Sequence, residues 1–379
     1  MVDKIHSLVD LEDENTQRIW LEELKDAVNG VIDTIEGKEG TKFNLVDNAD
    51  FVINQEGFTS KTIVSGSSAW AADRHWCYLF SSAGVTCARD TTDFPSVAEC
   101  GARIYASISA TITSADTALA ADEELVLVHR VEGYDWNRHI RDRECTYSFW
   151  VKSNTPGSYY ITIQDSTPTV SHVHEIIVAG EEEWEQHSVT FTADDTIGTW
   201  DTTNGIGMSF ILSLGNGSTW NNSVLDSWIA GNKRGPSDTQ ENLMATNGNY
   251  IKFAAPQLEP GPNVTDFMQI PYQITSRKCK RYYQKNNRLY GHALDTTQQW
   301  FNWPFEVEMR GTPVIRLLTT TPYTEHPPFQ APKSGTASTL VNSHRAVKSC
   351  DGYINGFTGL TTKDPSMITE NQLEADARI

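Results

Sequence analysis

The segment TYSFWVKSNTPGSYYITI, residues 146–163, decides the fold class because two alternating runs flank one chain reversal. On both sides every second residue is apolar, as in a strand that turns one face to a core. These residues are Tyr147, Phe149, Val151, Tyr159, Ile161 and Ile163. Between the runs, the stretch 154–157 combines a proline of fixed φ with a glycine that accepts positive φ. The segment therefore predicts two β-strands separated by a turn.

The same period of two continues on either side of this segment. It recurs at residues 126–128, 189–191, 208–214 and 251–253, with turn chemistry at 203–205, 214–217, 235–236 and 247–248. No helical pattern alternates with these runs, which favours antiparallel over parallel sheets. The pattern predicts a mainly β protein, with an antiparallel jelly-roll sandwich over residues 41–275.

Residues 276–379 are predicted to form a small C-terminal β domain. The region begins with the basic stretch RKCKRYYQK, residues 277–285, and continues with alternating apolar residues at 305–309 and 314–318. A proline-rich turn follows around residues 322–328.

Residues 1–40 have a helical pattern instead. Apolar residues alternate spacings of three and four, which is the seam of a coiled coil: Leu21, Leu24, Val28, Val31 and Ile35. A seam this short is marginal in water by itself, so we expect the helix to oligomerise with copies held close by the larger domains. The alternative is a single helix docked on its own domain.

Charge and hydropathy exclude two classes of partner. The chain has 379 residues, 49 acidic against 30 basic, and a net charge of −19, which opposes binding to phosphates and anionic membrane surfaces. No apolar run approaches the roughly 20 residues of a membrane span, and the first residues lack signal-peptide character. We expect no nucleic-acid partner, no membrane insertion, and synthesis in a cytosol.

Catalytic and metal signatures are not found in the sequence. There is no GxSxG, GxxxxGK[ST] or HExxH motif, and no GxGxxG after a strand, so we predict no enzyme and no cofactor. The six cysteines form no CxxC motif and are predicted to be reduced structural thiols. His172 and His174 share a strand face but lack further zinc ligands nearby. The acidic loop 47–50 would suit calcium, yet without supporting spacing, and no metal site is predicted.

Aromatic residues carry the strongest functional signal. Eight of the eleven tryptophans lie between residues 70 and 228, several in polar loops such as Tyr-Asp-Trp-Asn at 134–137. An amphipathic ring beside carboxylates and amides suits a sugar, which has an apolar face and hydroxyl edges. The predicted ligand-binding residues are Tyr134, Asp135, Trp136, Trp200 and Trp220. The alternative is that these rings close the open ends of the sandwich.

Several ordered motifs carry a family resemblance. They are NADFVINQ at 48–55, ADRHW at 72–76, RVEGYDW at 130–136, SFWVKS at 148–153, QLEPGP at 257–262, CKRYY at 279–283 and the segment 293–315. Together they resemble the jelly-roll module common in bacteriophage tail fibres and related virion proteins.

The resemblance implies a carbohydrate-binding-like sandwich in a homotrimeric fibre, joined to other virion proteins through its N-terminal segment. It places the protein in the virion after synthesis in the host cytoplasm, in contact with a host surface glycan. The number three comes from the resemblance, because the seam residues do not choose between two and three strands. Two alternatives stay open: a capsid head fibre, decoration or linker protein without a host ligand, and a glycan depolymerase. A depolymerase would be expected to show a parallel β-helix and a carboxylate cluster, and the sequence shows neither.

Overall fold

The computed structural model describes residues 44–318, 323–326, 330–334, 339–358, 360, 362–363, 365–368 and 372–378. Contacts divide the chain into two compact units, Met1–Phe43 and Asn44–Ile379, and all described residues belong to the second. The predicted N-terminal helix and its seam residues, Leu21, Leu24, Val28, Val31 and Ile35, lie outside the described residues. The predicted domain boundaries remain predictions.

Thirteen strands build a sandwich. In chain order they are β1 (Ser60–Ile63), β2 (Ser67–Ala72), β3 (His75–Phe80), β4 (Gly84–Asp90), β5 (Ser107–Ser114), β6 (Glu124–Glu132), β7 (Glu144–Ser153), β8 (Gly157–Gln164), β9 (Val170–Val178), β10 (Glu185–Thr192), β11 (Ile206–Asn216), β12 (Trp228–Ala230) and β13 (Tyr250–Pro260). One sheet has the order β1-β4-β5-β13-β7-β10, and the other has the order β12-β9-β8-β11-β6-β3-β2. The named strand pairs within both sheets are antiparallel, which confirms the predicted antiparallel jelly-roll sandwich.

The two sheets pack face to face through alternating apolar residues. Tyr147 on β7 stacks on Phe210 on β11 with ring centroids 4.2 Å apart, so rings from both sheets share one core. The enclosed void there is only about 10 Å³. Such dense packing is typical of a rigid protein interior.

The reversal at residues 154–157 does not make a hairpin. β7 pairs with β10 and β13, whereas β8 pairs with β9 and β11, so the turn carries the chain from one sheet to the other. The Asn154 side chain holds this crossing in place, since its Oδ1 accepts from the Tyr250 amide at 2.9 Å and its amide donates to the Gly248 carbonyl at 3.1 Å.

A helix, α1 (Tyr272–Lys280), leads out of the sandwich. Ten strands follow: β14 (Tyr283–Lys285), β15 (Leu289–Ala293), β16 (Gln299–Pro304), β17 (Val314–Leu317), β18 (Tyr323–His326), β19 (Gln330–Ser334), β20 (Leu340–Arg345), β21 (Ser349–Ile354), β22 (Pro365–Ile368) and β23 (Leu373–Asp376). They form a three-stranded sheet, β14-β23-β17, and a seven-stranded sheet, β19-β18-β22-β15-β16-β21-β20.

The sequence pattern misplaced one strand in this region. Residues 305–309 alternate like a strand, but β16 ends at Pro304 and the chain then runs irregularly. Met309 is buried there by a loop, since its amide bonds the Val347 carbonyl at 2.7 Å and the Gln284 side chain contacts its sulfur. The alternating pattern at residues 305–309 therefore reflects the burial of Met309 and not a strand.

All six cysteines are buried thiols: Cys77, Cys87, Cys100, Cys145, Cys279 and Cys350. Burial raises the pKa of Cys145 to about 12 and that of Cys350 to about 12. The neutral thiol is the less reactive form, so these side chains act as small apolar packing groups. No described helix is long and apolar enough to cross a membrane.

Candidate functional site

A pair of helical turns between β6 and β7 builds one end of the sandwich. After β6 the chain turns through Gly133–Asp135 and then Trp136–Ile140. Gly133 lies so close to the 201–205 loop that a Cβ would meet the Asp201 carbonyl oxygen at 2.5 Å, which leaves room only for glycine. The Tyr134 amide bonds the Thr203 carbonyl at 2.7 Å. These contacts fix the direction of the side chains that follow.

Three rings form a tryptophan ladder at this end: Trp136, Trp200 and Trp228. Trp136 and Trp200 are stacked, with centroids 4.8 Å apart and planes 8° from parallel. Trp228 meets Trp200 edge to face at 5.7 Å. Trp136 is only 1% exposed, whereas Trp200 and Trp228 are partly exposed. Trp136 therefore supports the ladder from inside and offers almost no surface of its own to a ligand.

Beside the ladder lies a cavity of about 330 Å³, the Tyr134 cleft. Its walls come from three separate parts of the chain: Asp47, Glu132, Tyr134, Asp135, Arg138, Lys278, Arg281 and Tyr282. The volume falls at the small end of the range for ligand pockets in proteins. Two of the five predicted ligand-binding residues, Tyr134 and Asp135, line it.

Ion pairs neutralise two of the three carboxylates in the cleft. Asp47 receives Lys278 at 3.0 Å and the buried guanidinium of Arg74 at 3.3 Å. Burial alone would raise the pKa of Asp47, but these two cations hold it well below its ordinary value. Glu132 accepts from Arg281 at 2.6 Å and from the Tyr282 hydroxyl at 2.6 Å.

The third carboxylate is available to a ligand. No described residue donates a hydrogen bond to Asp135, and burial raises the pKa of this carboxyl although Lys278 opposes the shift. The neighbouring Tyr134 ring is 47% exposed, and Arg138 is exposed at the same rim. A ring face, a free acceptor and a cationic donor thus converge on one cavity, which is a suitable set for sugar hydroxyls.

Trp220 lies at the opposite end of the sandwich. Its indole nitrogen donates to the Asp122 carbonyl at 3.2 Å, just before β6 begins, and its ring lies 5.1 Å from the Arg234 guanidinium. Tyr134 follows the other end of β6, roughly 26 Å away along the strand. The structure thus brings Tyr134, Asp135, Trp136 and Trp200 together and separates Trp220 from them.

Two groups of side chains were considered as metal ligands in the sequence, the acidic loop 47–50 and the pair His172 and His174. Their side chains have partners or pack against an aromatic ring. Asp47 of the acidic loop is engaged by Arg74 and Lys278. His172 is buried against the Trp228 ring at 5.4 Å, and His174 bonds Asp226 at 2.5 Å. Among the described residues, one acidic trio has ligand atoms within 4.8 Å of one another: Asp142, Asp194 and Asp195.

The motif residues of the first two segments, 48–55 and 72–76, form a buried polar network next to the cleft. The Asn48 side chain bonds the carbonyls of Ile53 and Asp73, both at 2.9 Å. His75 stacks on His129 at 4.6 Å, and burial lowers the pKa of His75 to about 3, so the ring is neutral. These residues connect the first segment to the sheets, and their role here is structural.

Sequence reasoning missed the far wall of the cleft. Lys278, Arg281 and Tyr282 belong to the basic stretch 277–285, which the sequence marks as the start of the C-terminal region and as part of the family resemblance but not as a binding element. The excess of cations in an acidic chain was the available signal. Trp228 belongs to the tryptophan cluster of the sequence but not to the predicted ligand-binding residues.

The chain matches no protein-family model and no curated protein. Among solved structures it is similar to a CBM4 structure, at 15% identity over 57% of this chain and 99% of that chain, with a TM-score of 0.29. It is similar to the CBM22-1 xylan-binding domain from Paenibacillus barcinonensis Xyn10C, at 8% identity over 59% of this chain and 99% of that chain, with a TM-score of 0.29. A third similarity is to the enzymatically active domain of bacteriophage CBA120 tailspike protein 4, at 10% identity, 57% and 21% coverage, and a TM-score of 0.30.

Proposed function

We propose that this chain is a non-catalytic fibre protein of a bacteriophage virion that binds a host surface glycan in the Tyr134 cleft. The ordered motifs between residues 48 and 315 support the virion assignment. The observation that carries the binding role is the convergence of Tyr134, Asp135 and Arg138 on one cavity of about 330 Å³.

Binding in the cleft follows from the chemistry of its walls. The exposed Tyr134 ring stacks on the apolar face of a sugar ring, while Asp135 accepts from two neighbouring hydroxyls. Arg138 donates to ring or hydroxyl oxygens from the rim. Trp136 holds the helical turn rigidly against Trp200, so little side-chain freedom is lost when the ligand arrives.

The same cleft supports the non-catalytic assignment. Glycoside hydrolysis requires two carboxyl groups about 5–10 Å apart that can act on the bond. Of the three carboxylates in the cleft, Asp47 and Glu132 are held in ion pairs. Asp135 alone is free to act, and a single carboxyl group cannot protonate the leaving group and also serve as the nucleophile or base in the same step.

The experiment that tests the proposal measures binding of the purified full chain to a glycan array and to host cells. We expect Tyr134→Ala and Asp135→Asn each to reduce binding about tenfold, which corresponds to about 1.4 kcal/mol. Tyr290→Ala is the matched control, because this tyrosine is 71% exposed on β15 in another sheet. Binding that falls equally in the control and in the cleft variants would refute the site.

Assembly as a trimer through residues 1–40 belongs to the same proposal. Replacing Val28 and Val31 with Asp buries like charges in the predicted seam, so light scattering should record a smaller mass. Retention of the full oligomer by this variant would show that the seam is dispensable.

A second candidate function, capsid decoration or linkage of virion parts, is favoured by one observation. The motif residues Asn48, Asp73 and Arg74 are buried in the polar network and do not reach a ligand surface. These three motif residues therefore belong to the scaffold, which a spacer protein also needs. Labelled antibody on intact particles distinguishes the two functions, since a capsid-surface position favours decoration and a tail position favours adsorption.

A further inference from the structure

A second cavity of about 330 Å³ lies across a turn from the Tyr134 cleft. Its lining includes Asp50, Val52, Tyr105, Gln269, Pro271 and Tyr272. None of these residues belongs to the tryptophan ladder or to the cleft. The site is built by three segments that are far apart in sequence, as ligand pockets commonly are.

Two exposed tyrosines form the walls of this cavity. Tyr105 is 47% exposed and Tyr272 is 57% exposed, so both rings present open faces. Burying such a ring removes a large apolar area from water, which is a substantial gain for a ligand with an apolar face. Tyr105 comes from the segment before β5, and Tyr272 is the first residue of α1. Because both line one cavity, the free energy gained by covering the two rings is available to a single ligand there.

A buried carboxylate lies in the same lining. Asp50 is only 7% exposed and accepts a hydrogen bond from the Val52 amide at 3.3 Å. Burial raises the pKa of Asp50, although hydrogen bonds from the Val52 amide and the Gln269 side chain oppose the shift. The carboxylate has acceptor capacity beyond these bonds, because its two oxygens accept about four in all.

The charge around Asp50 selects the class of ligand. Arg89, whose Nε donates to the Phe51 carbonyl at 2.7 Å, already provides a positive charge that favours ionised Asp50. A cationic ligand would compete with that guanidinium, and an anionic ligand would meet the carboxylate. A neutral molecule with hydroxyl groups meets neither penalty and can donate to Asp50 and to the Gln269 side-chain oxygen, while the Gln269 amide nitrogen bonds the Arg103 carbonyl at 3.2 Å.

The two cavities are close neighbours. Asp47 lines the cleft and Asp50 lines the second cavity, and residues three apart in one turn have Cα atoms within about 7 Å. On α1, Lys278 lines the cleft and Tyr272 the second cavity, separated by about 9 Å of helix rise.

We propose that the cavity between Tyr105 and Tyr272 is a second site for a neutral sugar, with the two rings as stacking walls and Asp50 and Gln269 as hydrogen-bonding groups. The identity of the ligand rests on the proposed function, whereas the existence of the site rests on this cavity alone.

Titration calorimetry and saturation-transfer NMR on the full chain test this site, with glucose, galactose, mannose, N-acetylglucosamine and their disaccharides as probes. We expect a second equivalent of sugar per chain, at millimolar concentration, that is lost in the Tyr105→Ala/Tyr272→Ala double variant. The Tyr105→Phe/Tyr272→Phe variant keeps the ring faces and should retain most of it. Tyr290→Ala serves again as the matched control, and near-ultraviolet circular dichroism checks that each variant is folded.

The outcomes separate this inference from the proposed function. Loss of the second equivalent in the double alanine variant, with the first retained, supports the second site. Sugar binding that disappears in Asp135→Asn and is unchanged in the double variant overturns the second site and leaves the proposed function standing. Binding that disappears only in the double variant keeps the second site and refutes the cleft. No binding of any probe overturns both.

Discussion

Each end of β6 has a glutamate–arginine ion pair, but the surroundings of the two pairs differ. Glu124, where the strand begins, pairs with Arg234 at 2.9 Å, and Glu132, where it ends, pairs with Arg281 at 2.6 Å. Both glutamates are 5% exposed. Arg234 is equally buried, whereas the Arg281 side chain is 30% exposed and borders the Tyr134 cleft. The same chemistry is closed off from solvent at one end and borders an open cavity at the other.

Cavity volume does not distinguish the two ends. Near Glu124 a cavity of about 320 Å³ is lined by glycine, serine, threonine, asparagine, glutamine, glutamate and leucine, without an aromatic ring. The Tyr134 cleft has nearly the same volume and two tyrosines. Aromatic ring faces are what distinguish the proposed binding site from the cavity near Glu124.

The largest expected difference between the two ends is the stability lost when a tryptophan is replaced, Trp136 at one end and Trp220 at the other. Trp136→Ala removes a fully buried ring and should lower the free energy of unfolding by about 4 kcal/mol. Trp220→Ala removes a partly exposed ring over Arg234 and should cost about 1 kcal/mol. Chemical denaturation followed by far-ultraviolet circular dichroism measures both. Equal losses would mean that the two ends are held by the same kind of packing.

The ion pairs give the next difference. Glu124→Gln leaves the buried Arg234 without its counter-charge and should lower the free energy of unfolding by about 3 kcal/mol. Glu132→Gln should cost only about 1 kcal/mol, because the partly exposed Arg281 turns to water. Urea midpoints of the two isosteric variants provide the measurement, and a larger loss for Glu132→Gln would reverse the assignment of closed and open ends.

Ligand affinity should respond at one end only. Tyr134→Ala is expected to weaken glycan binding about tenfold, or about 1.4 kcal/mol, through loss of the stacking face. Trp220→Ala should leave affinity unchanged, since its ring packs on Arg234 and its nitrogen bonds Asp122. Surface plasmon resonance with a glycan identified on the array measures the affinity of both variants. Weaker binding by the Trp220 variant alone would move the site to the other end.

The smallest expected difference is in how an aspartate at each end makes the folding stability depend on pH. Asp135, in the cleft, has a pKa raised by burial, so the folded state loses stability as pH rises from the ordinary aspartate value through the raised one. For Asp116, near Glu124, burial acts in the same direction, but hydrogen bonds from Ser81 and Ser82 outweigh it and lower the pKa. Asp116 therefore stabilises the fold above the ordinary value, and this contribution is lost as pH falls through the lowered one.

Matched asparagine variants test that pair between pH 3 and pH 7 by thermal unfolding. Asp135→Asn should be more stable than the parent at pH 7, and Asp116→Asn less stable, with both differences shrinking in acid. A gain for Asp116→Asn at pH 7 would contradict the hydrogen-bonding account.

Sequence predicts strands well where one face is apolar and the turn residues are explicit. The alternation at Tyr147–Val151 became β7, and the turn at 154–157 was placed correctly. Which sheet each strand joins was not readable, because the turn chemistry of a hairpin and of a sheet-to-sheet crossing is the same. That choice depends on Asn154 contacting Tyr250, nearly a hundred residues later.

The same limit applies to the proposed site. A ring next to a carboxylate is a local signal, and it selects Tyr134 and Asp135, which line the cleft. Trp136 shares that signal, yet the helical turn directs it inward onto Trp200. The wall formed by Lys278 of α1 and by Arg281, just after α1, comes from more than 100 residues later in the chain, and only the packed fold brings it there.

The burial of all six thiols makes the protein a convenient substrate for site-specific labelling. Maleimides require an accessible thiolate, which the native cysteines do not offer while the chain is folded. Tyr290→Cys, at a position 71% exposed on β15, would place one accessible thiol among the described residues of each chain. A gold cluster attached there would mark the position of the seven-stranded sheet in electron micrographs of any assembly that contains the protein.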